Sequence, residues 1–143
     1  MAENKLMDNF KTVLRKEGLK ITPQRIAVLK ESIKDKGHRE SEEIYLAIKS
    51  SKTHISRATV YRTLNILVQN QFVRKLNLGD GRARYERKIN SQHHDHLVCI
   101  TCRKIIEFMD PNIEMLQEKI ADKYQFSLKR HVHQLFGICK ECR

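Results

Sequence analysis

Apolar positions recur at helical spacing three times in the first half of the chain. Ile26, Leu29 and Ile33 fall on one stripe, with Thr22 placed as N-cap and Pro23 at the first helical position. Ser41 opens a second helix, with Glu42 and Glu43 in its first turn and Ile44, Ala47 and Ile48 on one face. Ser56 opens a third, with Val60, Leu64, Leu67 and Val68 facing inward. The period then shortens. Phe72–Asn77 and Arg82–Glu86 alternate on either side of Gly79-Asp80-Gly81, the pattern of a β-hairpin. Three helices followed by a hairpin predict a winged helix-turn-helix.

The second half is mixed. Leu97-Val98 follows a histidine run, and Lys104–Phe108 reads as a strand. A helix is expected from Pro111 to about Tyr124, with Ile113, Leu116, Ile120 and Tyr124 as its core-facing side. Phe126–Phe136 alternates loosely, with His131 and His133 on one strand face. The fold class is therefore α+β.

Charge sharpens this division. Of 143 residues, 28 are Lys or Arg and 17 are Asp or Glu, a net charge of +11. Residues 1–92 hold 20 basic and 10 acidic side chains, whereas residues 93–143 hold 8 and 7. A basic excess on one half points to a polyanion. The third predicted helix presents Arg57, Thr59, Tyr61 and Arg62 largely away from its apolar face. Arginine can reach guanine edges or phosphates, and threonine can touch thymine methyls. Arg74, Lys75, Arg82 and Arg84 around the hairpin suit phosphates. Any one of these could be an ordinary solvated cation, but the set favours nucleic acid. No apolar run reaches the length of about 18 residues needed to span a membrane. Residues 1–20 are polar and charged, so no secretory signal is expected. A cytoplasmic protein with reduced cysteines follows.

All 4 cysteines and 5 of the 7 histidines lie in residues 93–143. Cys99-x-x-Cys102 and Cys139-x-x-Cys142 can each wrap one side of a tetrahedral ion, which predicts a closed four-cysteine structural zinc site. Redox dithiols are the rival reading, but no βαβ pattern accompanies either pair. In His93-His94-Asp95-His96, an extended backbone puts His94 and His96 on one face and His93 and Asp95 on the other. One strand could then serve two ion sites. Mixed imidazole and carboxylate shells suit Fe(II), Mn(II), Zn(II) or Co(II). Glu107, Glu114, Glu118, His131 and His133 are further donors, each by itself as well explained by solvation or structure.

Taken in order, these motifs resemble the ferric uptake regulator family of metal-sensing bacterial repressors. The resemblance is carried by Gly18-Leu19-Lys20-Ile21-Thr22-Pro23-Gln24-Arg25, His38 with Glu42-Glu43-Ile44-Tyr45, and Ala58-Thr59-Val60-Tyr61-Arg62-Thr63-Leu64. It continues through Arg84-Tyr85-Glu86, His93 to Cys102, and the closing pair Cys139 and Cys142. It implies an N-terminal winged-helix DNA-binding domain with hinge, residues 1–88, and a C-terminal α/β dimerisation domain, residues 89–143. It implies a homodimer or higher oligomer bound to a double-stranded DNA operator. Structural zinc falls on Cys99, Cys102, Cys139 and Cys142. A regulatory metal falls on His38, Glu86, His94 and His96, with Glu107 close by, and an additional site on His93, Asp95, Glu114 and His131. Lys20 falls where the family reaches toward the minor groove, and Tyr61 and Arg62 fall in its reading helix.

The family's peroxide-sensing branch typically has Asp where this chain has Glu86 and Glu107, so an Fe(II)-responsive repressor is expected. Sensing of peroxide, zinc or manganese is the alternative within the family. Cys102 is followed by Arg103, where the family most often has Gly. From another class, a small metallohydrolase would explain the histidines, but no HExxH helix is present and the basic half would be idle. The expected protein is a regulator, not an enzyme.

Overall fold

The computed structural model describes residues 2–34, 37–88 and 93–143. The chain divides into two units, Met1–Ser91 and Gln92–Arg143. The domain boundary expected after residue 88 adjoins residues 89–92, which lie outside the described residues.

The first unit holds α1 (Ala2–Lys16), α2 (Pro23–Ile33), α3 (Ser41–Ser50), α4 (Arg57–Gln69), β1 (Val73–Asn77) and β2 (Ala83–Arg87). The caps are those expected for α2 and α4: Thr22 Oγ1 accepts from Arg25 N, and Ser56 Oγ accepts from Thr59 N at 3.1 Å. The second expected helix starts at Ser41, but its N-cap is Glu40, whose N–H donates to the Glu43 carboxylate at 2.7 Å. Helix α1 is an addition to the sequence reading. Leu6, Phe10, Val13 and Leu14 recur at helical spacing within residues otherwise dominated by charge, and Phe10 and Leu14 are fully buried. The helix ends in a Schellman motif. Gly18 has φ +69°, Gly18 N donates to Arg15 O, and Leu19 N donates to Leu14 O at 2.8 Å.

The core of this unit joins Phe10, Leu14, Val28, Leu29, Ile44, Val60, Leu64 and Leu67 to Phe72, Val73 and Tyr85 of the hairpin region. Strands β1 and β2 pair antiparallel, with Arg74 opposite Glu86 and Lys75 opposite Tyr85. This is a winged helix, with α4 formed where the sequence predicts the reading helix.

The second unit holds β3 (Asp95–Cys99), β4 (Ile105–Phe108), α5 (Pro111–Lys123) and β5 (Gln134–Gly137). The sheet order is β4-β3-β5, with β3–β4 antiparallel and β3–β5 parallel. The parallel pairing needs a crossover, which the segment containing α5 provides. Asp110 caps α5, accepting from Asn112 N at 2.8 Å, and Pro111 follows at the first position.

Two expectations are corrected in this unit. The strand expected over Phe126–Phe136 forms only from Gln134, so His131 and His133 precede it. The apolar stripe of α5 is not a core within the chain: Leu116, Ile120 and Tyr124 are 53%, 59% and 65% exposed. Its spacing announces a buried face but cannot say which chain buries it. No helix among the described residues is long and apolar enough to cross a membrane.

Candidate metal centres and nucleic-acid interface

Four thiols converge at the edge of the second unit. Cys99 ends β3 and Cys102 lies in the turn after it, and the segment after β5 carries Cys139 and Cys142. All four sulfurs lie within 4.8 Å of one another. Cys102 Sγ and Cys139 Sγ are 3.7 Å apart, and Cys139 N donates to Cys99 Sγ at 3.4 Å. Backbone N–H groups, that of Cys102 foremost, hold the Cys99 thiol down to about 6, whereas hydrogen bonding with Cys139 pushes Cys142 up to about 12. Four thiolates cannot ionise this close together without a cation. The donor set, all sulfur and four-sided, fits tetrahedral zinc. Arg103 closes the first turn at φ +65°, the left-handed region that glycine adopts without strain.

The strand start at Asp95 separates the histidine run as its alternation predicts. On one side, Asp95 is 1% exposed and its Oδ1 lies 3.2 Å from His93 Nε2 and 3.3 Å from His131 Nε2. Glu114 of α5 brings Oε1 to 3.6 Å from His93 Nε2 and 3.4 Å from His131 Nε2. The His93 and His131 rings meet edge to face at 4.2 Å. His133 also belongs here, with Nδ1 3.5 Å from Asp95 Oδ2, and neither buried atom makes a hydrogen bond. Two imidazoles and two carboxylates aimed at one point fit a divalent cation. Glu118 is exposed and takes no part.

On the opposite side of β3, the His94 and His96 rings lie 5.1 Å apart, and His94 Nε2 is 3.5 Å from Glu107 Oε1. Sheet register puts His96 directly opposite Glu107. The first unit has its own pair: His38 Nε2 is 2.8 Å from Glu86 Oε2, and the other Glu86 oxygen lies 3.6 Å from Arg74 NH1. Arg74 is therefore engaged with a buried carboxylate, not presented to phosphate as the sequence suggests. Arg84 differs likewise, since it is buried and its NH2 donates to Asp80 at 3.0 Å. Nothing in the spacing of Arg74 signals this role; strand register alone reveals it.

The reading helix exposes Tyr61, 49% accessible, and Arg62, while Thr59 is half-buried with its hydroxyl 2.9 Å from Ser56 Oγ. Lys20 is exposed between α1 and α2, on an open groove of about 730 Å³ also lined by Arg25, His54, Ser56 and Thr59. Arg57 is held by Glu42 of α3: Nε lies 2.9 Å from Oε2 and NH2 lies 2.9 Å from Oε1.

A winged helix with an exposed reading helix, in a chain whose histidines, carboxylates and cysteines gather into ion-ligand clusters, has the make-up of a metal-responsive transcriptional regulator. The chain belongs to the ferric uptake regulator family, whose model matches residues 16–136. It is 42% identical over 139 residues to the ferric uptake regulation protein of Campylobacter upsaliensis, covering 96% of this chain and 88% of that one. It is 33% identical over 130 residues to the peroxide-responsive repressor PerR of Staphylococcus epidermidis, covering 91% and 85%. The solved Helicobacter pylori ferric uptake regulator Fur, which has three functional metal-binding sites, superposes with a TM-score of 0.91 at 36% identity, covering 97% of this chain and 92% of that one.

Proposed function

We propose that this chain is an iron-sensing repressor that binds a palindromic operator as a homodimer, with Fe(II) as co-repressor. The observation that carries the proposal is the pairing of His38 with the buried Glu86 in the winged-helix unit, 2.8 Å apart. Two donors make half a shell. His94, His96 and Glu107 of the second unit are proposed to complete it. Fe(II) there would supply a divalent charge that nitrogen and carboxylate donors from both units can share, a set that also accepts Mn(II), Zn(II) or Co(II). Ligation by both units favours the arrangement in which both sets reach one centre, and population shifts toward it. Cys99, Cys102, Cys139 and Cys142 are proposed to hold structural zinc. His93, Asp95, Glu114 and His131 are proposed as the additional site, in keeping with the three sites of the Helicobacter pylori relative.

Lys20, Thr59, Tyr61 and Arg62 are proposed to face DNA, whereas Arg57, at the start of α4, is held by Glu42. The exposed apolar residues of α5, with Phe126 and Val132 beyond it, supply the surface for a second copy. A two-fold dimer then sets two reading helices on successive half-sites. The proposed role is that of a binding switch in the cytoplasm, not a catalyst.

The test is duplex binding by the full chain with and without Fe(II), Mn(II), Zn(II) and peroxide. The expected result is a shift with Fe(II) that is lost when His94 and His96 are both replaced by Ala. Metal-dependent binding unchanged in that variant overturns the proposal. Release of DNA by peroxide would assign the peroxide-sensing branch, and a hydrolase would show no shift at all.

A further inference from the structure

Arg57 occupies an unusual place for a DNA-contacting cation. It is the first residue of α4, where the helix dipole disfavours positive charge, and no acidic residue shares that first turn. Its charge is met instead from α3. Nε lies 2.9 Å and 3.2 Å from the two oxygens of Glu42, and NH2 lies 2.9 Å from Oε1, so both carboxylate oxygens are engaged. The guanidinium lies over the Tyr45 ring, with Cζ 4.4 Å from the ring centroid. Tyr45 belongs to the buried core, so this platform is fixed. Glu42 sits in the first turn of α3, where the dipole favours a carboxylate. The guanidinium is thus paired and directed at its own protein.

Arginine with nothing to neutralise it at this position would add one phosphate contact to every DNA sequence alike. Non-specific affinity comes almost wholly from such contacts, through release of condensed counterions. We propose that Glu42 sets the chain's sequence-independent DNA affinity: it withholds Arg57 from DNA phosphate and so lowers affinity for bulk DNA. The Arg57 and Glu42 side chains are 66% and 48% accessible, so a released Arg57 could swing toward DNA without repacking the core. This inference rests on the DNA-binding reading above.

The test uses the metal-loaded full chain and a short random-sequence duplex, with anisotropy followed across a salt series. Glu42→Gln keeps the side-chain shape and removes its charge. The expected result is binding about threefold to fivefold tighter, with the slope of log affinity against log salt steeper by about one phosphate contact. Glu42→Gln combined with Arg57→Ala is expected to lose that gain, because the gain needs the released guanidinium. Circular dichroism checks that each variant folds. A Glu42→Gln protein indistinguishable from wild type overturns the inference, and so does a gain that persists without Arg57. Arg57→Ala alone giving weaker binding and a slope shallower by about one also overturns it, since Arg57 would already lie on phosphate. A wild-type chain that binds no duplex defeats the regulator reading itself; the other outcomes defeat this inference alone.

Discussion

His38 Nε2 stands 2.8 Å from Oε2 of Glu86, a carboxylate only 2% exposed. Backbone geometry makes this pair. Arg39 and Tyr85 form an isolated antiparallel bridge, with Arg39 N donating to Tyr85 O at 3.2 Å and Tyr85 N to Arg39 O at 2.8 Å. That bridge puts residue 38 opposite residue 86. Glu86→Gln preserves the shape but removes the charge that draws a cation. Its affinity for the regulatory metal is expected to fall about tenfold or more, while the four-cysteine zinc is retained. Metal titration with metal analysis of the purified variant checks both halves.

Arg74 shares Glu86 with His38, at 3.6 Å from Oε1. The guanidinium stabilises a buried carboxylate but also competes with any other cation for it. Arg74→Ala is expected to lower the stability of the metal-free protein by about 1 kcal/mol and to tighten metal binding severalfold. Denaturant melts without metal, paired with metal titration, would show opposite signs in the two measurements.

The thiols of Cys139 and Cys142 are both pushed up, so both carry protons at neutral pH. Zinc needs thiolates. Uptake of zinc by the metal-free protein is therefore expected to release at least these protons, and affinity is expected to fall as pH falls. Calorimetry in buffers of different ionisation heat reads the proton count. Cys142→Ser is expected to lose tight zinc binding and to destabilise the second unit, seen as a lower thermal midpoint there.

Phe10 is fully buried and meets the Phe72 ring edge to face, with centroids 5.6 Å apart. It fastens α1 to the start of the wing. Phe10→Ala is expected to cost about 3–5 kcal/mol, read from denaturant unfolding. A cost under about 1 kcal/mol would show that α1 is dispensable.

Ile120 is 59% exposed on the apolar side of α5. Ile120→Asp is expected to shift the protein from dimer to monomer in sedimentation, because an unpaired charge in an apolar interface is costly. Its spectrum in the single chain should change little.

Much of this was legible in residue order. The Thr22-Pro23 and Ser56 starts, the hairpin around Gly79-Asp80-Gly81 and the alternation of His93 to His96 are local rules, and local rules survive without a fold. Helix α1 is hard to see in residue order because its apolar stripe is diluted by charge. The sequence shows no role for His133 because its partner, Asp95, is distant in sequence. Arg57, Arg74 and Arg84 read alike as basic residues near a DNA-binding motif. Their partners Glu42, Glu86 and Asp80 separate them, and two of those three are fixed by helix packing and strand register.

Residue order alone was enough for the family, the α+β class and the residue types available to ions, because caps, periods and cysteine spacing act over a few residues. Which donors meet came from the folded chain. A carboxylate attracts whichever cation lies within a few ångströms, and that distance is set by register and packing between segments far apart in the chain.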